Sequence, residues 1–164
     1  MTTTLMTTAT TITIGGGEFA FSAAHSGIHD GRFECLHGHT FTVAVHLTGT
    51  FDADGMVVDF VVVKAALRAV LAPMRKRTLF ALDTPEVTIE RHSDQVVVTG
   101  AGKQYSLPAE DVLLLPTTST STEAIATYLL DRVMNQLPPS PGVTKVALEL
   151  AESPTSSARV EVSL

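Results

Sequence analysis

Between His37 and Thr50 the chain alternates: Phe41, Val43 and Val45 take every second place, with Thr42, Ala44 and His46 between them. Successive strand side chains point to opposite faces, so this stretch fits a sheet with one apolar face and one wetter face. It opens with His37 and His39 on either side of Gly38, and the same period puts both imidazoles on one face. An earlier extended stretch, Thr11 to Ala24, carries Phe19, Phe21 and Ala23 on one face, and His25 continues their parity. Pairing of the two strands brings three imidazoles together. Three histidines with an open fourth position make the ligand set of a catalytic zinc site. The plainer alternative is three scattered polar residues. Gly38 removes a side chain between two of the histidines and lets backbone or substrate approach closely.

The remaining elements follow from similar signals. Asp52 to Gly55 reads as a turn. Asp59 is placed to cap a helix running to about Met74, with a stripe at Val63, Leu67, Val70, Leu71 and Met74. Glu86–Glu90 and Gln95–Thr99 read as a small hairpin. Thr120 with Glu123 forms a capping-box signature before a helix whose stripe is Ile125, Leu129, Val133 and Leu137. Pro138, Pro139 and Pro141 end it. Val143–Glu152 and Arg159–Leu164 are expected to close the chain as two strands. Residues 1–9 are Thr-rich and expected to be frayed. With no internal linker, residues 1–164 read as one domain. The order predicts an α+β fold, a four-stranded antiparallel sheet with two helices on one face. Such a sheet has exposed edges, and edge-to-edge assembly into a homo-oligomer is one way to remove them.

Composition narrows the function. The formal net charge is -6, and the only basic run is Arg75-Lys76-Arg77, so nucleic acid is not an expected partner. No apolar run approaches the roughly 20 residues of a membrane span. A single cysteine forbids an intrachain disulfide and points to a reducing cytoplasm.

Three words carry a family resemblance: Phe21-Ser22-Ala23-Ala24-His25, Leu36-His37-Gly38-His39-Thr40-Phe41, and Gly55-Met56-Val57-Val58-Asp59-Phe60 with Lys64. In order and spacing they resemble the 6-pyruvoyl/6-carboxy-tetrahydropterin synthase family. The stretch from Glu110 to Pro116, the helix from Thr120 and the segment Glu149 to Ala158 resemble its second half. The resemblance implies the tunnelling fold, in which subunits join their sheets into a barrel and two rings stack, commonly as a hexamer. It also implies Zn2+ on His25, His37 and His39, and a pterin-anchoring carboxylate at Glu152. Strand parity supports the last point separately. Val146, Leu148 and Leu150 set the apolar face and Glu152 continues it, where a carboxylate is costly unless paired. A pterin offers two parallel N–H donors to such a group. The alternative is that Glu152 lies in solvent past the strand end. Ser121 and Thr122 match residues bordering the family's pterin pocket; they are equally ordinary helix-start residues.

Two departures stand out. The family's catalytic cysteine falls on Phe33, while Cys35 stands nearer the first histidine, beside Glu34. Cys35 is open to three roles: general base, fourth metal ligand or inert packing residue. The family's Asp-His pair falls on Arg75 and Lys76. Lys76 serves as a base only where burial or neighbouring positive charge depresses its pKa; otherwise the basic run is a solvated helix C-terminus. The resemblance implies a zinc-dependent carbon–oxygen or carbon–carbon lyase or cyclase acting on the side chain of a reduced pterin such as dihydroneopterin triphosphate. Its acid–base residues are non-standard, with Cys35 and Lys76 as candidates. Two alternatives stand beside it: a relative acting on a phosphorylated sugar, and a non-catalytic zinc-binding oligomer.

Overall fold

In the computed structural model residues 8–164 are described, so most of the Thr-rich start lies outside the described residues. The first strand, β1, is Thr10–His25. A hairpin of two very short strands follows, β2 (Ile28–His29) and β3 (Arg32–Phe33), and then β4, His37–Gly49. β1 and β4 pair antiparallel, with Phe21 opposite Phe41, Ala23 opposite His39 and His25 opposite His37. Between Gly15 and Ala20 the register slips: β1 advances five positions while β4 advances two, from Ala44 to Thr42. The slip reverses the parity of β1, which keeps Ile14 in the core with Phe19, Phe21 and Ala23. On β4 one unbroken stripe of Phe41, Val43, Val45 and Leu47 is buried, and His39 and His37 continue it to the strand's end.

Helix α1, Phe60–Leu71, starts where Asp59 Oδ1 accepts from the Val61 amide at 2.8 Å, as its sequence predicts. A 3-10 turn over Ala72–Met74 leads to β5, Arg77–Ala81. Then come β6 (Val87–Arg91), β7 (Gln95–Gly100) and β8 (Lys103–Pro108), which form a separate antiparallel sheet of three. β9 (Val112–Leu115) returns to the main sheet. Helix α2, Thr122–Gln136, is capped by Ser121 and not by Thr120: Ser121 Oγ accepts from the Ala124 amide at 3.3 Å. Its end leads to the hairpin β10 (Val143–Ser153) and β11 (Ser156–Ser163).

The main sheet runs β11-β10-β4-β1-β5-β9. Its first four strands are the expected antiparallel set. β5 and β9 extend it in parallel at the β1 edge, making it a mixed sheet of six. Those two strands and β8 are absent from the sequence expectation. The segments of β5 and β9 are short apolar runs, whose periodicity does not separate strand from buried helix. Both helices contribute to one core with the sheet stripe, through Val63, Leu67 and Leu71 of α1 and Ile125, Leu129 and Val133 of α2. A second, smaller core gathers Phe33, Phe80, Val96 and Val98 between the three-stranded sheet, the β2–β3 loop and β5. Positions of opposite parity on β1 and β4 carry hydroxyls and an imidazole: Thr11 meets Thr48 at 2.7 Å, and Thr13 Oγ1 lies 2.9 Å from His46 Nδ1. Among the described residues no helix is long and apolar enough to cross a membrane.

Candidate functional site

The three histidines meet where the buried stripe of β1 and β4 runs out. One potential ligand nitrogen from each of His25, His37 and His39 lies within 4.8 Å of the others. His25 Nδ1 donates to the Thr120 carbonyl at 2.9 Å, and His37 Nδ1 donates to the Cys35 carbonyl at 2.8 Å. Each bond fixes a tautomer and leaves Nε2 as the free electron-pair donor, the usual support of a metal-bound imidazole. His25 is only 5 % exposed, and its Nε2 is buried with no hydrogen-bond partner. A buried polar atom rarely stands alone. A metal ion held by His25, His37 and His39 would satisfy it, so the residues fit the ion their type and spacing suggest. Burial, followed by the neighbouring charges of His37 and His39, lowers the His25 pKa; the Thr120 carbonyl and Glu34 act the other way. The balance favours neutral imidazole, the form that binds metal.

Gly38 sits tightly against its strand partner. A Cβ there would stand 3.2 Å from the Ala23 carbonyl oxygen of β1, so the close approach that matters is between strands.

The histidines line a cleft of about 420 Å³ that also takes in Glu34, Thr122 and Glu152. Glu152 keeps the parity of Val146, Leu148 and Leu150 and is half-buried where β10 enters the cleft. Thr122 Oγ1, in the first turn of α2, donates to Glu152 Oε2 at 2.6 Å. Ser121 borders the same cleft, with its hydroxyl engaged in capping the helix. The β10 carboxylate and the α2 N-terminus thus meet beside the histidines.

Cys35 and Lys76 are placed differently. Cys35 is exposed and is not among the residues lining this cleft; its carbonyl, not its thiol, serves the site by orienting His37. Lys76 borders a second, more open cleft of about 620 Å³ that also touches His39. It sits with φ 57° at the bend into β5, where its amide donates to the Ser22 carbonyl at 2.7 Å.

Glu34 is a cleft residue that the sequence reading left without a role. Its Oε2 lies 3.5 Å from the point a Cβ on Gly27 would occupy, so the carboxylate folds back over the residues that follow His25. Its negative charge acts on His25. The available signal was an acidic residue just upstream of the His37-Gly38-His39 word. Thr120 was also missed as the partner of His25, because any residue supplies a backbone carbonyl.

A family model described as 6-pyruvoyl tetrahydropterin synthase matches residues 16–163. A 6-carboxy-5,6,7,8-tetrahydropterin synthase of Haemophilus influenzae is 29% identical over 148 residues, covering 85% of this chain and 92% of that protein. The crystal structure of 6-pyruvoyl tetrahydropterin synthase from Plasmodium vivax superposes with a TM-score of 0.91 at 25% identity, covering 96% of this chain and 99% of the other. Two further structures of that Plasmodium enzyme, equally similar, are variants in which a catalytic glutamate is replaced by alanine or by cysteine.

Proposed function

The chain belongs to the 6-pyruvoyl tetrahydropterin synthase family, and on that premise we propose that it is a zinc-dependent lyase that opens the side chain of a reduced pterin such as dihydroneopterin triphosphate, with Glu34 as the proton-transferring group. One observation carries the reading: the Glu34 carboxylate lines the same cleft as the histidine cluster and the Glu152–Thr122 pair.

Each residue has a part that follows from its chemistry. Glu152 presents two acceptor oxygens to the paired N–H donors of the pterin ring. Thr122 holds Oε2 from the side, which fixes the plane of the carboxylate. His25, His37 and His39 would hold zinc, which supplies a Lewis acid for a substrate oxygen. With the ring anchored at Glu152, the ring substituent extends toward the histidines, where Glu34 takes a proton from the side chain; the electron pair left behind forms a new double bond as the adjacent carbon–oxygen or carbon–carbon bond breaks and its pair leaves with the departing fragment. A carboxylate does this work only where the group it deprotonates is acidified or held close, and anchored geometry supplies the second condition. Glu34 therefore takes the role that the sequence offered to Cys35 or Lys76. The catalytic glutamate of the Plasmodium vivax enzyme supports carrying that role to a glutamate here. The tetrahydropterin synthase names of the relatives favour a pterin over a phosphorylated sugar, and three acidic residues lining one cleft, Glu34, Glu123 and Glu152, favour catalysis over a purely structural metal site. The working particle in this reading is a homo-oligomer, a hexamer by family likeness.

The test is mass spectrometry of products after zinc-loaded protein meets dihydroneopterin triphosphate. The expected result is a pterin with a shortened or rearranged side chain, lost in Glu34→Gln while zinc content stays at the wild-type level. Unconsumed substrate with wild-type protein, or full turnover by Glu34→Gln, overturns the proposal.

A further inference from the structure

The carbonyl oxygen of Glu34 is the meeting point of three side-chain donors. Ser26 Oγ reaches it at 3.0 Å, Lys103 Nζ at 2.9 Å and Tyr105 Oη at 3.3 Å. The amide of the same residue donates to the Gly27 carbonyl at 3.0 Å. Both backbone groups of one exposed loop residue are thus engaged, and the carbonyl carries more donors than its two lone pairs ordinarily accept. Ser26 and Gly27 directly follow His25. Lys103 and Tyr105 come from β8, far along the chain, where the strand's two-residue period puts both side chains on one face.

Packing reinforces the same junction. The Tyr105 ring meets Phe33, the neighbour of Glu34, edge-on with centroids 5.6 Å apart, and lies 5.6 Å from the Phe80 ring of β5. Phe33 is buried in the small core that the three-stranded sheet shares with β5. That sheet plays no part in the main core, and nothing in the histidine cleft comes from it. Its polar contact with the cleft loop is concentrated on one carbonyl.

We propose that Lys103 and Tyr105 are positioning residues for Glu34: from one face of β8 they clamp its carbonyl oxygen and hold the loop that aims its carboxylate into the histidine cleft. The proposal rests on the reading of Glu34 as the proton-transferring group. With the backbone pinned on both sides, the carboxylate moves only through its own side-chain torsions. Freeing the backbone spreads it over positions from which proton transfer fails, while the ring-binding residues Glu152 and Thr122 are untouched. The expected signature is a loss in kcat with KM little changed.

The experiment compares the full-length zinc-loaded enzyme with Tyr105→Phe, Lys103→Met and their combination, each also in a Glu34→Gln background. Tyr105→Phe keeps the ring contacts and removes one donor; Lys103→Met keeps most of the stem and removes the other. Misplacing a catalytic group by about 1 Å costs up to about 100-fold, so the combination should lower kcat by about tenfold or more with KM within about twofold. In the Glu34→Gln background the same changes should cause no further loss, and Lys103→Arg, which keeps a donor, should retain most of the wild-type kcat. Hydrogen exchange followed by mass spectrometry should show faster exchange of the Glu34 amide in the combined variant. If the combination does not fold, as judged by its thermal melt, the single variants carry the comparison. An unchanged kcat in an enzyme that Glu34→Gln inactivates overturns the proposal alone. So does a loss that recurs in full in the Glu34→Gln background, since the role is then general stability. Full turnover by Glu34→Gln itself overturns the reading of Glu34, and the positioning role with it.

Discussion

Thr122 and Glu152 join the start of α2 to the end of β10 through one hydrogen bond, Thr122 Oγ1 to Glu152 Oε2 at 2.6 Å. A half-buried carboxylate is costly without such a partner, and here the remaining acceptor capacity is left toward the cleft. Glu152→Gln keeps the size but turns one acceptor into a donor. Hydrogen bonds to charged groups contribute about 1.5–3 kcal/mol, so pterin affinity should fall by at least about tenfold. Thr122→Val, which only frees the carboxylate plane, should weaken binding less. Isothermal titration with a non-reacting reduced pterin checks both, and unchanged affinity for Glu152→Gln would mean that the ring does not bind there.

Metal content should follow the histidines. His37→Ala and His39→Ala each remove one of three ligands, and elemental analysis of the purified variants should show zinc falling from one per chain to well below that. Full retention in both would sink the ligand assignment. His25→Ala should cost stability as well, because its ring is buried against Phe41, with centroids 5.8 Å apart.

The acid–base assignment separates three residues. General acid–base groups contribute typically 10²–10⁴-fold in rate. Glu34→Gln should lose turnover on that scale. Cys35→Ala should stay within about twofold, since the exposed thiol does not line the cleft and the carbonyl that holds His37 survives the substitution. Lys76→Met should likewise retain turnover. Steady-state rates with dihydroneopterin triphosphate decide it; a large loss in Cys35→Ala or Lys76→Met would return the role to that residue.

His46 supplies a pH dependence. It sits on the helix-free face of the sheet, and burial, then the Arg159 charge, lowers its pKa from 6.5, against the opposing pull of Glu149 3.9 Å away. The folded state therefore resists protonation that the unfolded chain accepts. The sign follows: His46 costs no stability above the unfolded pKa, and stability falls as pH drops through it, levelling off below the lowered folded value. Thermal melts of metal-free protein should show the midpoint falling as pH goes from about 7.5 to about 5.5, with a shallower fall in His46→Gln. Equal slopes would remove His46 from the account. His25 acts in the same direction in metal-free protein and is present in both samples.

Assembly is the fifth expectation. β11 and β9 are the free edges of the main sheet within one chain, and unpaired edges invite pairing with another copy. Light scattering at micromolar concentration should give a closed oligomer, six chains by family likeness. A monomeric mass would rule it out.

Strand parity made the histidine cluster of the candidate site legible in the sequence. A period of two is a property of the backbone itself, so along the unbroken stretch of β4 His37 and His39 follow Phe41, Val43 and Val45 onto one face, and the same parity pointed from Leu150 to Glu152. Asp59 announced its helix through a local hydrogen bond. In the same way α2 was visible from its stripe, although the cap moved by one residue, from Thr120 to Ser121. What local pattern did not hold was any feature set by contact between distant segments. The register slip at Gly15–Ala20 is visible only against β4. β5 and β9 are strands because they add to the edge of β1, and their apolar runs have no period of their own. The place of Glu34 in the cleft is of this kind too. Glu34 stands in a loop with no repeating geometry, where Ser26, Lys103 and Tyr105, brought in by folding, meet at its carbonyl. Strand parity is written in the order of residues; the aim of a loop is decided by the donors that tertiary folding brings to its backbone.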